Sequence, residues 1–388
     1  MGFRLTAYLW LTQSAYLVPE QGTTEQRAVR DNWDLKPADA TPLDPASAAA
    51  IEGELDERFA RRPVRGHIPL LLYGTLFFCA GIAMYLAGVL MVFPRYLLGL
   101  NASLEPVSQW LVWYSGVPIV AGIVMALADL LLFLDRKRPN LPVRYRTLAN
   151  RQVTVALTAY NDEDSIAPAV HDFLAHPLVR RVIVVSNNSR DETFERAAAA
   201  GAIAFNEIAP GYGRCVHRCL TEASRHLDTD LVVLCEGDLT FRAYDIDKLL
   251  AYAVHGDVVN GTRTVEPLRQ YRTQLSTFMY YGNMFVAKLL EAKHLGRGTI
   301  TDVGTTYKLC RRDVLAELLP KLNPAVNLEF NAHFLDTALA QGHVLVECPI
   351  TFHQRVGVSK GGNINNWRGF TVGIRMIFGI VCGWKRPA

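Results

Sequence analysis

The chain has little net charge of either sign. Its 40 Lys and Arg against 37 Asp and Glu leave +3 over 388 residues, too little to imply nucleic acid as a partner. It also lacks an organised cysteine set. Cys215 and Cys219 flank His217, but no second ligand pair follows at zinc-like spacing, which argues against a zinc site. Free thiols in a reducing cytoplasm are the simpler account. The turn after the first strand of the soluble half, Thr158 to Asp162, has no glycine. A dinucleotide-binding turn needs glycines there so that backbone can approach a pyrophosphate, so NAD and FAD are disfavoured. One further absence matters most: residues 68–93, IPLLLYGTLFFCAGIAMYLAGVLMVF, contain no charge at all.

That run exceeds the roughly 20 residues a helix needs to cross a bilayer. Residues 111–134 form a second apolar stretch, interrupted by Pro118 and holding Asp129, which reads as a local structural carboxylate rather than an ion pathway. Arg58, Arg61, Arg62 and Arg65 precede the first span, and Arg136, Lys137, Arg138, Arg144 and Arg146 follow the second. Only Arg95 and Glu105 lie between them. The positive-inside rule then gives an integral membrane hairpin over 67–135 with both flanks in the cytoplasm. The first span begins too late and runs too long for a cleaved signal peptide. The expected organisation is an N-terminal cytoplasmic segment (1–66), the hairpin, a soluble cytoplasmic domain (150–362) and a C-terminal segment (363–388). In that last segment Arg368 and Arg375 alternate with aromatic and aliphatic residues, as in an interfacial helix.

From residue 150 onward, short apolar runs alternate with helical patterns. VTVALTA (153–159), RVIVVS (181–186) and LVVLCE (231–236) read as strands buried on both faces, so an α/β fold with a mostly parallel sheet is expected. Ligands of such sheets sit beyond the carboxyl ends of the strands. After the first strand, Thr158, Tyr160, Asn161 and Asp162 suit stacking on a base and hydrogen bonding to its edge and ribose. After the second come Asn187 and Asn188. The PGYGR turn (210–214), with Gly213, opens a helix whose N-terminus could face an anion. After the third long strand, Glu236 and Asp238 flank Gly237. Two carboxylates so placed can hold Mg2+ or Mn2+ against a diphosphate. Each of these features alone is also what a polar or acidic turn looks like.

Taken in order, these loops resemble the inverting family-2 glycosyltransferases with a GT-A fold, above all dolichol- or polyprenyl-phosphate mannose synthases and related bacterial polyprenyl-phosphate glycosyltransferases. The resemblance covers roughly residues 150–362. The family's first-strand loop is similar to Thr158–Asp162, its Asp-X-Asp to Glu236-Gly237-Asp238, and its Gly-Ser-Arg to Gly261-Thr262-Arg263. The Arg and Ser of its next helix match Arg272 and Ser276. Its Asp-X-X-Ser-Gly-Phe-Arg is similar to DVGTTYK (302–308), and its late Arg followed by Gly-X-Ser-Lys matches Arg355, Ser359 and Lys360 within PITFHQRVGVSK. Three departures stand out. The second-strand loop lacks the usual acids, the first metal carboxylate is Glu, and Thr240 stands where relatives often have Gln, with His353 as a substitute ligand or a stacked ring.

The resemblance implies a GT-A, Rossmann-like sheet preceded by the transmembrane hairpin, and transfer of a sugar from a nucleotide diphosphate to a polyprenyl phosphate. It implies nucleotide contacts from Thr158, Tyr160, Asn161, Asp162, Asn187, Asn188 and Gly213. Glu236 and Asp238 would hold the Mg2+ or Mn2+. Arg263, Arg272, Ser276, Arg355, Ser359 and Lys360 would receive the acceptor phosphate, with Arg263, Arg355 and Lys360 acting in catalysis beside the acidic pair. Asp302 and Glu329 are candidates for positioning, and Glu329 also for a base. Two alternatives stay open: a membrane glycosyltransferase with a hydroxyl acceptor, and a catalytically silent sugar-nucleotide module. The sugar, the base and the oligomeric state are not legible.

Overall fold

The charge-free run forms helix because nothing in it competes with backbone hydrogen bonding. Helix α1 covers Leu70–Leu90 and α2 Val92–Leu97; the chain returns through α3 (Asn101–Tyr114), α4 (Gly116–Ala128), a π-helical turn at Asp129–Phe133 and α5 (Leu134–Lys137). The structure is a computed structural model that describes residues 68–137, 145–270, 273–357 and 365–384, all within one unit of the chain, residues 56–388. Two helical segments, Leu70–Leu97 and Asn101–Lys137, are long and apolar enough to cross a membrane. The second begins earlier than residue 111. Pro118 does not break it, because it falls in the first turn of α4, where a missing N–H leaves no acceptor unsatisfied.

Helices α1 and α4 touch through glycine. A Cβ on Gly74 would stand 2.7 Å from the carbonyl of Gly122, and one on Gly122 would stand 2.5 Å from that of Gly74. Asp129 is fully buried at the far end of this contact. Its Oδ2 accepts from the backbone N–H of Leu71 at 2.7 Å and from Lys137 Nζ at 2.8 Å. One carboxylate thus satisfies an orphan N–H at the start of α1 from across the hairpin, the local structural role its sequence position suggested.

The soluble part is a seven-stranded sheet in the order β3-β2-β1-β4-β6-β5-β7. The strands are β1 (Val153–Ala159), β2 (Val179–Ser186), β3 (Ile203–Asn206), β4 (Leu231–Glu236), β5 (Val258–Thr262), β6 (Lys308–Arg311) and β7 (Leu345–Pro349). All neighbours run parallel except β6, which is antiparallel to both β4 and β5. On one face α6 (Ile166–Leu174) and α9 (Ile246–Ala253) pack on Val155, Leu157 and Val233. On the other, α8 (Tyr212–Ser224) and α12 (Phe330–Ala340) cover Ala156, Val232 and Leu234. Two-sided burial is why these strands read as unbroken apolar runs rather than alternations. Helices α7 (Thr193–Ala199) and α11 (Arg312–Leu318) complete the layers.

The reversal of β6 decides where the site forms. Its amino end lies beside the carboxyl ends of β4 and β5, so the loop that enters it, residues 302–307, arrives at the same edge as the loops leaving β1, β2 and β4. Two more helices flank that edge. Helix α10 (Thr277–Lys293) packs against α1 and against α13 (Asn366–Cys382), which also rests on α12. Helix α13 buries Val372, Met376 and Ile380 and exposes Trp367, Phe370, Ile374 and Phe378; α10 exposes Phe278, Tyr281 and Phe285.

Candidate active site

Strands β1 and β4 are parallel neighbours with Thr158 opposite Glu236, so their loops leave side by side. The N–H of Gly237 donates to the carbonyl of Thr158 at 2.9 Å, and a Cβ there would stand 2.5 Å from Ile166 Cδ1. The residue between the two acids must therefore be small, which explains the Glu-Gly-Asp spacing. Asp238 is buried, and its Oδ1 accepts from Thr240 N at 3.1 Å and Thr240 Oγ1 at 2.5 Å. Thr240 thus fixes the carboxylate from within its own turn.

Arg355 reaches the pair from the far end of the chain. Its Nη1 lies 2.8 Å from Asp238 Oδ2, close but off the hydrogen-bond direction, and its Nη2 donates to Asp162 Oδ1 at 2.7 Å. Burial and the neighbouring Glu236 push Asp238 up to about 7, although Arg355 and Thr240 oppose the rise. Asp162 also takes the N–H of Tyr160 at 2.9 Å, and Thr193 Oγ1 accepts from its backbone N–H at 2.7 Å. The loop Tyr160-Asn161-Asp162 is thereby pinned with Asn161 in the left-handed region, at φ 50°.

Glu236 is held differently. Its Oε1 accepts from Thr306 Oγ1 at 2.7 Å; Thr306 Oγ1 lies 2.5 Å from Tyr212 Oη, which takes Asn331 Nδ2 at 3.0 Å. A hydroxyl carries one proton, and that of Thr306 goes to the carboxylate, so Tyr212 donates to Thr306. The direction Asn331 to Tyr212 to Thr306 to Glu236 is fixed. Burial, with Glu236 nearby, raises the Tyr212 phenol and keeps it protonated. Beneath the loop, burial lowers Lys308 to about 7; its Nζ donates to Asn331 Oδ1 at 3.3 Å and to the carbonyl of Thr305.

Among the described residues no cluster of three or more His, Cys, Asp or Glu forms an all-protein metal cage. The donor set fits a hard cation held by Glu236 and Asp238 with a diphosphate supplying further oxygens. His353 does not join it. Its Nε2 is 2.7 Å from Tyr244 Oη, and the two rings meet edge to face.

Several expected contacts are corrected by their partners. Arg263 forms a two-pronged pair with buried Asp302, Nε to Oδ2 at 2.7 Å and Nη2 to Oδ1 at 2.8 Å. Asp302 takes further bonds from Asn283 Nδ2 and the N–H groups of Gly304 and Thr305. Burial, the largest single influence, would raise Asp302, but the Arg263 charge together with hydrogen bonds from Arg263 and Asn283 outweighs it and holds Asp302 at about 2. Arg263 is therefore charge-compensated, and Asp302 has a structural task. Ser276 Oγ caps α10 by accepting from Met279 N at 3.3 Å and donates to Asn366 Oδ1 at 2.7 Å, so it joins α10 to α13 instead of lining the cleft. Asn187 is occupied by Glu207 O, Ala209 O and Gly211 N, and it shapes the 207–211 turn. A Cβ on Gly213 would meet Val326 O at 1.7 Å, so this glycine permits close packing behind the cleft. The N–H groups of Gly211 and Tyr212 already donate to Asn187 Oδ1 and Asn327 Oδ1, so those two are engaged within the protein. Glu329, buried at the start of α12, accepts from Arg375 on α13 at 3.4 Å and does not line the cleft. Arg272, Ser359 and Lys360 lie outside the described residues.

A cleft of about 1010 Å3 joins these parts. It runs from Tyr160 and Asn188, past Glu236 and Asp238, to an apolar arm between Phe285 of α10 and Ile374 of α13. Tyr212, Asn331, Gln274 and Arg368 also line it and were not read as site residues from the sequence. Tyr212 meets Thr306 only through the fold, so no local pattern announces that contact.

A mostly parallel α/β sheet with an acid pair at the carboxyl end of β4 is the GT-A type of nucleotide-sugar transferase fold. Residues 154–319 match the model of glycosyl transferase family 2. An uncharacterized glycosyltransferase of Mycobacterium bovis is 39% identical over 117 residues, which are 30% of this chain and 50% of the relative. The chain thus spans about half the length of the mycobacterial relatives it matches. The dolichyl-phosphate hexose transferase of Haloferax volcanii is 27% identical over 54% of this chain and 86% of its own length. Among solved structures, glucosyl-3-phosphoglycerate synthase of Mycobacterium tuberculosis in complex with Mn2+, UDP and glucosyl-3-phosphoglycerate aligns at a TM-score of 0.46. The identity is 20%, over 61% of this chain and 82% of that one.

Proposed function

We propose that this protein is an inverting glycosyltransferase that moves a sugar from a nucleotide diphosphate sugar to the phosphate of a polyprenol at the cytoplasmic face of a membrane. The observation that carries the proposal is the cleft itself: one cavity joins the carboxylate pair to an apolar arm between α10 and α13, and α10 packs on the first apolar helix. A headgroup at the acids and a lipid chain in the arm can occupy it together. The Haloferax relative, named for a dolichyl-phosphate acceptor, supports the same acceptor class.

The carboxylates are distributed as a phosphate nucleophile requires. A phosphate monoester, with a second pKa near about 6, is largely dianionic at neutral pH. It attacks C1 of the sugar without a general base, while the bond from C1 to the diphosphate oxygen breaks and the nucleoside diphosphate leaves. Glu329 is turned to Arg375 and Asp302 is saturated by donors, so neither is placed as a base. Glu236, oriented by Thr306, and Asp238, oriented by Thr240, would hold Mg2+ or Mn2+, which offsets charge on the departing diphosphate. Tyr160, exposed at the cleft mouth beside Asn188, offers a ring for the base. The basic flanks of the two apolar helices support a soluble domain on the cytoplasmic side.

The test is a panel of UDP-, GDP- and dTDP-sugars offered to the purified protein in bilayer nanodiscs with undecaprenyl phosphate and Mn2+, the lipid product being analysed by mass. A glycosyl-phospho-lipid whose formation stops with EDTA supports the proposal. Nucleotide-sugar binding without release of nucleoside diphosphate, whatever the acceptor, defeats it in favour of a silent module.

A further inference from the structure

Among the described residues four arginines line the cleft: Arg190, Arg263, Arg355 and Arg368. Two of them are already neutralised. Arg263 is clasped by Asp302, and Arg355 lies between Asp162 and Asp238. Such pairs still offer N–H groups but little net charge to an incoming anion. Arg190 follows the β2 loop, at the Tyr160 end. Arg368 stands in the first turn of α13, next to Gly369 and Phe370, which help line the apolar arm. It is exposed, and among the described residues no carboxylate pairs with it. Its neighbours Trp367 and Phe370 stack, with ring centroids 5.8 Å apart, and both are exposed.

We propose that Arg368 is the residue that binds the acceptor's phosphate monoester, at the junction of the cleft with the first turn of α13. This rests on the lipid-phosphate acceptor proposed above. A prenyl chain lying in the arm brings its phosphate to that junction, since the phosphate is covalently tied to the end of the chain. An uncompensated guanidinium there supplies both net charge and two-pronged donation. The sequence motifs offered Arg263, Arg272, Arg355 and Lys360 for this task; Arg272 and Lys360 lie outside the described residues, and the carboxylate partners of Arg263 and Arg355 leave Arg368, among the described residues at this end of the cleft, as the cation with charge to give.

The experiment uses the full chain in detergent, with geranylgeranyl phosphate and its uncharged alcohol as probes, and follows Trp fluorescence or calorimetry. Arg368→Gln is expected to raise the Kd for the phosphate by at least about tenfold, the usual loss for a charge-assisted bond. The Kd for the alcohol and the thermal midpoint should not move. Arg368→Lys should recover part of the loss, because it keeps the charge without the fork. An unchanged Kd for the phosphate overturns the inference, as does an equal loss for phosphate and alcohol, which would mark a packing defect. Loss of binding to phosphatidylglycerol vesicles with an unchanged Kd would also overturn it, since Arg368 would then serve bilayer lipid. If the unsubstituted protein binds neither prenyl probe, the acceptor reading itself falls, a result distinct from any failure of Arg368.

Discussion

Arg355 Nη1 lies 2.8 Å from Asp238 Oδ2. An arginine therefore contacts the carboxylate oxygen that a divalent cation would use, and a cation must compete with it. Arg355→Ala is expected to strengthen Mn2+ binding in the absence of nucleotide by at least about tenfold, because a unit charge a few ångströms from the ion is removed. Sugar transfer should fall, since the same guanidinium braces the Asp162 loop at the nucleotide. Mn2+ titration by electron paramagnetic resonance, run beside turnover, checks both halves. Unchanged or weaker Mn2+ binding would count against the competition.

Thr306 links Tyr212 to Glu236 and donates the only proton it has to the carboxylate. Thr306→Val should lower Mn2+ affinity by at least about tenfold, with Thr306→Ser close to the unsubstituted protein. Removing one hydrogen bond to a charged group costs about 1.5–3 kcal/mol. If Val and Ser behave alike, the hydroxyl does not orient Glu236.

The Arg263–Asp302 pair gives a pH signature. Asp302 sits at about 2 in the fold against an ordinary value of 3.8. Because the folded value is depressed, the carboxylate's stabilisation is present above pH 4 and is lost as pH falls from about 4 towards 2. The loss is on the order of 2 kcal/mol. Asp302→Asn should unfold more readily at neutral pH, by about 3–5 kcal/mol, because Arg263 is left buried without its counter-ion. It should also show a flatter acid limb in chemical denaturation between pH 4 and 2. An unchanged acid limb would assign the acid sensitivity to other carboxylates.

Glu329 tests the acceptor class. Facing Arg375 and outside the cleft lining, it should tolerate Glu329→Gln with kcat within about threefold of the unsubstituted protein. A general base typically contributes about 10²–10⁴-fold. A drop of that size would favour a hydroxyl acceptor.

In the hairpin, Asp129 accepts from Leu71 N and Lys137 Nζ while fully buried. Asp129→Ala leaves the Leu71 N–H unmatched and Lys137 with only the Ile68 carbonyl, and should destabilise the hairpin by about 1–3 kcal/mol. Thermal unfolding in detergent reads this. No change would mean that water or lipid replaces the carboxylate.

Much of this protein is local in the chain and was legible there. The charge-free run at 68–93, the strands at 153–159, 181–186 and 231–236, and the Glu236-Gly237-Asp238 turn each depend on neighbouring residues, whose periodicity and turn chemistry a sequence displays directly. The match at Arg355 was also visible, as a motif. The sequence could not display counter-ions. It offered Arg263 and Arg355 as cations for a phosphate, and the fold gave each a carboxylate within 3 Å. It offered a glycine-rich turn as an anion site, and the fold gave two of its N–H groups, those of Gly211 and Tyr212, to Asn187 and Asn327. The antiparallel β6, whose entering loop brings Thr306 to Glu236 and Asp302 to Arg263, left no local signature either. The physical reason is common to all three. Ion pairs and hydrogen bonds act over a few ångströms, and their partners here are dozens to hundreds of residues apart along the chain, so only the packed sheet determines which charges meet and which, like that of Arg368, remain to act.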